Sequence, residues 1–330
     1  MAKKKEAYLY ISAMLRARET RMLSRDKAER MLDAASFEDA AKVLTDCGYE
    51  DMSQMGAKEI EAALSAHRDK VFRELASCVP DKAIVDIFRV KYDYHNAKVL
   101  IKAEAMGSDE ASLFSGSGRI SPEKLKAAYN EDRAKDMPGR LGKALTEAKA
   151  ALSRTANPQL ADFVLDREYF AELKELAKKL ESPYLEKYTA TLIDSTNLRS
   201  AVRTLRMGKN SDFMQQALVE GGSVSCARIM NETNAEGLAS VFALTSLNKA
   251  AALGAAAISG GAMTEFELAC DNAVMAFISD AKLKAYGEEP VVAYMAAVES
   301  EITAARMILT GRLAGIAPEV IRERLRDLYA

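Results

Sequence analysis

The chain has 330 residues, 49% of them apolar and 28% charged, and its 46 basic and 48 acidic residues leave a formal net charge of −2. This length allows two or three compact domains, and the balanced charge argues against a general nucleic-acid-binding protein. Trp is absent and aromatic residues are few, whereas helix-forming residues such as Ala, Leu, Met, Glu and Lys dominate. We therefore predict an all-α fold.

Cysteine usage and hydropathy indicate a soluble protein. The four cysteines fit no CxxC spacing and are expected to be reduced thiols: Cys47, Cys78, Cys226 and Cys270. The start "MAKKKEAYLY" is basic but lacks an apolar core behind it, so it does not resemble a secretory signal. No apolar run reaches eighteen residues. The nearest, at 250–263, is short and Gly-rich, and we expect a tightly packed helix that turns at Gly260–Gly261.

Start and stop signals predict a series of helices along the chain. Ser24 and Ser36 are candidate N-caps, and Gly48 ends the second of these short helices. A long helix follows over "AKEIEAALSAHRDKVFRELASCV" and stops at Pro80. Further helices begin at prolines that sit in the first turn: Pro122, Pro158 and Pro318.

One helical pattern is written three times: "KYDYHNAKVLIKAEAMG" at 91–107, "LIDSTNLRSAVRTLRMG" at 192–208 and "ESEITAARMILTGRLAG" at 299–315. In register, each copy has an acid, then an amide or Ala, then a base, and a glycine at the end, where a left-handed helix terminus favours it. The acids are Asp93, Asp194 and Glu301. Three residues after them come Asn96, Asn197 and Ala304, and fourteen residues after them come Gly107, Gly208 and Gly315.

The spacing of the copies indicates duplication of whole lobes. The acids lie 101 and 107 residues apart, far beyond the roughly 20–50-residue period of solenoid repeats. Gly/Ser-rich loops at 115–118 and 220–225 follow the first two copies. We predict three similar helical lobes, residues 1–110, 111–210 and 211–330.

The repeated helix has two distinct faces. The acids and amides share one face with small side chains, and a buried polar group there needs a partner, since leaving it unpaired costs about 1–3 kcal/mol. We expect that partner to be the backbone at the end of a neighbouring helix or a base such as Arg89. A role in packing and a role in contacting another protein both remain open for these residues.

The opposite face is basic. Such a stripe is usually a solvated surface, but repeated in three lobes it could instead form a basic collar around a common axis. The candidate partner-binding residues are therefore Lys98, Lys102, Arg199, Arg203 and Arg306.

No motif in the sequence indicates catalysis. His67 and His95 are the only histidines, which excludes a multi-His metal site. "PGRLGKAL" at 138–145 has neither the glycine spacing nor the Ser or Thr of a phosphate-binding loop. No GxSxG, HExxH or DDxxD motif is present. We expect no catalytic residue, no metal, no cofactor and no small-molecule substrate.

Three lobes, each with this helix, resemble the C subunit of the V/A-type ATPases, which vacuolar enzymes have as their d subunit. "YLYISAMLRARETRMLS" followed by "SFEDAAKVLTDCGY" resembles the amino terminus of that family, and "ESEITAARMILTGRLAGIAPEVIRERL" its carboxy terminus. The resemblance runs from about residue 7 to the end of the chain. Ala304 and Thr310 depart from the first two copies, which suggests that the lobes are not interchangeable.

This resemblance implies a funnel-shaped, pseudo-threefold, non-catalytic rotor protein. Such a protein links the central shaft, formed by the D and F subunits, to the proteolipid (c/K) ring on the cytoplasmic face of the membrane, and so couples ATP hydrolysis or synthesis to ion transport. The alternatives are a stand-alone helical scaffold and an all-α enzyme with a concave polar pocket.

Overall fold

The computed structural model describes residues 5–107 and 113–330. Within these ranges every regular element is a helix and no strand occurs, which confirms the all-α prediction. The α-helices are α1 Leu9–Glu19, α2 Arg25–Asp33, α3 Phe37–Val43, α4 Ala57–Cys78, α5 Ala83–Met106, α6 Pro122–Asn130, α7 Leu141–Thr155, α8 Pro158–Lys179, α9 Pro183–Arg206, α10 Ser211–Ala217, α11 Cys226–Met230, α12 Ala235–Val241, α13 Asn248–Ile258, α14 Met263–Ser279, α15 Glu288–Leu313 and α16 Pro318–Arg322.

Side-chain caps define many of the helix starts. An N-cap side chain that accepts a backbone N–H satisfies one of the donors that a helix start leaves unpaired. Proline occupies the first turn of α6, α8, α9 and α16, where its missing N–H costs nothing. The capping side chains are Ser24, Ser36, Ser121, Asn157, Ser182, Asn210, Ser225 and Asn234.

The chain divides into two compact units. The first combines Met1–Val85 with Glu267–Ala330, and the second is Asp86–Phe266. The first unit therefore draws on residues from both the first and the third of the predicted lobes. The division into three lobes stays a prediction.

The first unit is built around α15. This helix packs against α1, α2, α3 and α4, and it buries most of its length. Ile302, Ala305 and Ile308 are almost completely inaccessible to solvent. Burial of a Leu- or Ile-sized side chain contributes about 1.5–3 kcal/mol, so a helix buried on nearly all sides serves as the core of its unit.

The second unit is built around α9. This helix packs against α8 and α13, and α7 packs against α8. Close approach of α13 to α9 depends on Gly254, where a Cβ would come within 2.8 Å of Val202 Cγ2 and 3.1 Å of the Phe266 ring. After α13 the chain turns at Gly260, whose φ of +103° lies in the region that favours glycine.

The cysteines and the apolar character of the helices complete the description of the fold. The four cysteines are free thiols, and Cys78 alone among them is exposed. No helix in residues 5–107 and 113–330 combines the length and the apolar character needed to cross a bilayer.

Candidate functional site

Asp93, on α5, binds the loop that leads into α6. Its carboxylate accepts the backbone N–H of Arg119 at 2.9 Å and that of Ile120 at 3.2 Å, and the Arg119 Nε donates to it at 2.6 Å. The side chain of Asp93 is fully buried. Because an uncompensated buried charge is very costly, the guanidinium and the two backbone donors are what allow it to stay there.

Asp194, on α9, binds the loop that leads into α11 in the same way. It accepts the backbone N–H groups of Ser223 and Val224, each at 3.1 Å, and a short hydrogen bond from the Ser223 hydroxyl. A serine hydroxyl therefore takes the place that Arg119 has at the first site. Asp194 is 4% exposed, so both acids are buried acceptors of backbone donors.

Glu301, on α15, completes the set within the first unit. Its carboxylate accepts the backbone N–H of Leu23 at 2.5 Å and the Tyr49 hydroxyl at 2.7 Å. The acid and Leu23 are separated by 278 residues of chain. The third repeated helix thus binds the beginning of the chain, where the first two bind the loops that come after them.

The three segments that these acids bind have one feature in common. Each places an apolar residue directly before a serine N-cap, in the sequences Ile120–Ser121, Val224–Ser225 and Leu23–Ser24, which start α6, α11 and α2. We call Asp93, Asp194 and Glu301 the anchor acids and these segments the anchored turns. Each anchor acid satisfies backbone donors immediately outside a helix start, at the end where an acid is also favoured by the helix dipole.

Two anchored turns need glycine three residues before the serine. A Cβ on Gly118 would collide with the carboxylate of Asp93, and one on Gly222 would collide with that of Asp194. In the third turn that position is Arg21, and the anchor acid is the longer Glu301. The sequences "GRIS" and "GSVS" were the available signal for the first two turns, and sequence reasoning missed them.

The amides of the repeated helices fix a second point on the same loops. Asn96 accepts the N–H of Ser115 and donates to its carbonyl, both at 2.8 Å. Asn197 does the same with Val219, also at 2.8 Å for both bonds. Ser115 and Val219 each lie six residues before the capping serine.

Ala304 has no such bond to make. The position six residues before Ser24 is Arg18, which lies in α1. The helical hydrogen bonds of α1 already use the backbone of Arg18, so an amide on α15 would have no free backbone group to bind there. This gives a physical reason for the departure of the third copy from the pattern.

The glycines lie one or two residues beyond the ends of the three helices. Gly107, Gly208 and Gly315 have φ values of +63°, +62° and +70°. Beyond α9, Lys209 N donates to Thr204 O at 3.0 Å, and beyond α15, Ile316 N donates to Gly311 O at 2.9 Å. These 6→1 bonds close the helix ends in the manner of a Schellman motif.

Burial shifts the ionisation of two anchor acids. It raises the pKa of Asp93, although Arg119 and the backbone donors act in the opposite direction. It also raises the pKa of Glu301, against the hydrogen bonds from Leu23 and Tyr49. The pKa of Tyr49 is raised well above its usual value by burial and by the adjacent Glu301.

An ionic cluster extends from the first anchored turn. Arg119 Nη1 donates to Glu172 on α8 at 2.8 Å, and the Tyr94 hydroxyl donates to the same carboxylate at 2.9 Å. Arg89, the base expected beside Asp93, donates instead to the Gly118 carbonyl at 2.5 Å. The cluster ties α5, α8 and the loop before α6 together inside the second unit.

Three of the five predicted partner-binding residues form ion pairs inside their own units. Lys98 pairs with Asp166 at 2.6 Å and Lys102 with Asp162 at 3.0 Å, so both reach α8. Arg306 pairs with Glu61 of α4 at 2.5 Å. On α9, Arg199 is half-buried and Arg203 is exposed, and both engage in interactions within the chain. For three of the five residues, the observed partner is an acid on a neighbouring helix.

In the described residues, no group of three or more His, Cys, Asp or Glu side chains is arranged to hold a metal ion. The buried carboxylates described above are occupied with backbone N–H groups, a guanidinium or hydroxyls. The fold and the site together define an all-helical protein in which buried acids on repeated helices fix loops and helix starts.

The family of the chain follows from comparison with known proteins. A family model described as ATP synthase (C/AC39) subunit matches residues 11–324. The chain belongs to this family, the C subunits of V/A-type ATPases, and is therefore an accessory part of a rotary ATPase complex. This confirms the resemblance noted in the sequence.

Curated relatives share this description over most of their length. The C subunit of the V-type sodium ATPase of Enterococcus hirae is 27% identical over 325 residues, covering 98% of this chain and 99% of the relative. The C subunit of the A-type ATP synthase of Methanocaldococcus jannaschii is 22% identical, covering 97% and 86%. The C subunit of the V-type ATP synthase of Thermus thermophilus is 26% identical, covering 62% and 65%.

Proposed function

We propose that this protein connects the central shaft, formed by the D and F subunits, to the proteolipid (c/K) ring. In this role it couples ATP hydrolysis or synthesis in the catalytic head to ion movement through the membrane part. The observation that carries the proposal is the family match, which covers residues 11–324 of the 330-residue chain. Relatives that align over nearly the whole chain carry the names of V- and A-type C subunits.

The proposal includes the shape and the place of the protein. Three related lobes around one axis would form a funnel that touches a rotating shaft from several sides. The anchor acids support this, because all three repeated helices fix an equivalent serine-capped turn. The protein would lie on the cytoplasmic side and attach to the membrane only through the complex. In keeping with this, no helix in the described part of the chain is suited to span a bilayer.

The proposal also includes the basic collar, in which the five predicted partner-binding residues contact a partner by giving up contacts within the chain. Lys98, Lys102 and Arg306 already pair with acids in the chain, the Lys98–Asp166 pair half-buried and the other two more exposed, and ion pairs at a protein surface contribute only about 0–1 kcal/mol. Such pairs can be exchanged for contacts with a partner at little energetic cost. Arg199 and Arg203 complete the set of proposed contacts.

Size-exclusion chromatography tests the proposal. The purified protein is mixed with the D–F pair, with detergent-solubilised proteolipid ring, or with both. The proposal expects a complex of all components that forms only when this protein is present. If the protein elutes alone at moderate salt in every mixture, the proposed linking role is wrong, although the family membership stands.

A further inference from the structure

The second unit contains a large groove along α8. Its volume is about 1320 Å³, and it is bordered by α8, the first turns of α9, and the segment from α10 to α11. We call it the α8 groove. Much of its lining is apolar, including Ala171, Pro183, Ala190, Leu218 and Met230. This volume exceeds the roughly 300–1,000 Å³ of typical small-molecule sites, so the groove is better suited to a segment of another protein.

One wall of the groove is a basic stripe on α8. Arg167, Lys174 and Lys178 all line it and are exposed, and their spacing of seven and then four residues places them on one helix face. At 1.5 Å per residue, the stripe is about 16 Å long, or three helical turns. Arg167 donates to the Gln216 carbonyl at 3.0 Å. In the described part of the chain, Lys174 and Lys178 have no carboxylate at ion-pair distance.

Two of the acids that line the groove are neutralised from outside it. Glu168 pairs with Arg140 at 2.6 Å and with Lys143 at 3.0 Å. Glu175 pairs with Arg140 at 2.5 Å. Neither Arg140 nor Lys143 lines the groove, so these two carboxylates do not offset the charge of the stripe.

The remaining charges leave the groove positive. Its basic lining residues are the stripe and Lys187, and its other acids are Glu186 and Glu220. An apolar surface with a positive edge is complementary to a helix that carries apolar residues on one face and acids beside them. A single phosphate would use only one end of a stripe that is about 16 Å long, whereas a helix of three turns would use all of it.

We propose that the α8 groove is the docking site for an acidic amphipathic helix of the central shaft. This inference rests on the proposed function for the choice of partner. The apolar lining would bury one face of the shaft helix, and the basic stripe would fix its orientation and speed its association. The repeated helix α9 also lines the groove with residues of its first turns, and the same helix carries the anchor acid Asp194.

Charge reversal tests this assignment. The triple variant Arg167→Glu, Lys174→Glu and Lys178→Glu is compared with Lys58→Glu, Lys124→Glu and Lys135→Glu. The control set carries the same change in charge on exposed residues that do not line the groove. Binding of the purified D–F pair and of the solubilised ring is measured separately for each. We expect at least about tenfold weaker D–F binding for the groove variant only, with ring binding unchanged.

A neutral variant separates docking from misfolding. Ala171→Trp fills the apolar part of the groove and leaves its charge intact, and we expect it also to weaken D–F binding by about tenfold, with an unchanged circular dichroism spectrum. D–F binding within twofold of the wild type for both groove variants would overturn the docking site while leaving the linking role intact. Loss of ring binding instead of D–F binding would overturn it as well. A wild-type protein that binds no D–F would overturn the proposed function together with the groove.

Discussion

The carboxylate of Glu301 accepts a hydrogen bond from the backbone N–H of Leu23 at 2.5 Å, across 278 residues of chain. This contact lies within one compact unit, in which the last repeated helix packs with α1 to α4. Asp93 and Asp194 make the equivalent contact with loops that follow them. The third repeated helix therefore makes its equivalent contact with the turn at Leu23, which precedes it in the chain.

Removal of the third anchor acid should destabilise the first unit. Glu301→Leu leaves the Leu23 N–H and the Tyr49 hydroxyl buried without an acceptor, at a cost of about 1–3 kcal/mol for each group. The free energy of unfolding from urea denaturation measures the effect. Glu323→Leu, on an exposed residue of the same unit, is the control and should change stability by less than about 0.5 kcal/mol. Equal stability of the two variants would contradict the role assigned to Glu301.

The glycine of the second anchored turn should not tolerate a side chain. Gly222→Ala pushes a Cβ against the Asp194 carboxylate, and relief of that contact must move the loop or the acid. We expect a loss of about 1–3 kcal/mol, as for overpacking of a buried site. Gly56→Ala is the control, because its Cβ would have no neighbour closer than 3.7 Å. If the control costs as much in a thermal melt, the close approach of Asp194 is not the cause.

An amide should stabilise the second copy of the repeated helix but not the third. Asn197→Ala removes both bonds to Val219 and should cost about 1–3 kcal/mol for each backbone group left unpaired. The reverse change, Ala304→Asn, should give no gain and should itself destabilise, because α1 already satisfies its own backbone. Urea denaturation of both variants measures this. A stabilising Ala304→Asn would contradict our account of why the third copy lacks the amide.

Acidification should weaken the first unit through His67. Its ring stacks on Tyr49 at a centroid distance of 3.9 Å, and burial, followed by the nearby Lys70, lowers its pKa to about 4. A lowered pKa means that the unfolded chain binds the proton more tightly. Neutral His67 therefore contributes to the stability of the folded unit above pH 6.5, the ordinary pKa of histidine. This contribution is lost as the pH falls towards 4.

The variant His67→Phe isolates this titration. It keeps an aromatic ring against Tyr49 and removes the ionisable group. Unfolding free energies are measured between pH 4 and 7 for both proteins. We expect the stability of the wild type to fall more steeply below pH 6.5 than that of the variant. Glu301 acts with the opposite sign, since its raised pKa lowers stability as the pH rises, and it is common to both proteins. Parallel curves would rule out the titration of the half-buried His67 as the cause of this loss.

A charge swap should separate packing from partner binding at the basic face. Arg306→Glu sets two carboxylates opposite each other, and adding Glu61→Arg restores an ion pair of reversed polarity. We expect the double variant to recover the stability lost by the single one, about 1 kcal/mol or less for an exposed pair. D–F binding is then measured on the double variant. Wild-type binding would remove Arg306 from the proposed collar, and weakened binding would support it.

The sequence predicted the helices and their faces because helix geometry is local. The positions of Asp93, Asn96 and Gly107 follow from a 3.6-residue period and from the preference of glycine for a left-handed end. Their need for backbone partners also follows, since a buried polar group must be satisfied. Nothing local specifies which loop returns to meet them.

The partners of these polar side chains depend on tertiary packing, and the sequence predicted them only in part. The base beside Asp93 is Arg119 and not Arg89, because the loop before α6 folds back over α5. The contact between Lys98 and Asp166 joins residues 68 positions apart, and no periodicity of either helix indicates it. The contact between Glu301 and Leu23 could not be predicted from the repeat either. In the first two copies the bound turn follows the anchor acid, whereas Leu23 precedes Glu301 by 278 residues.

Coupled ion transport tests the central claim most directly. A complete V/A-type ATPase from the same source is reconstituted into vesicles with and without this protein, and ATP hydrolysis and ATP-driven ion uptake are measured together. The linking role predicts that the complex without it hydrolyses ATP without ion uptake, and that adding the purified protein restores uptake. Full ion uptake in its absence would contradict the account.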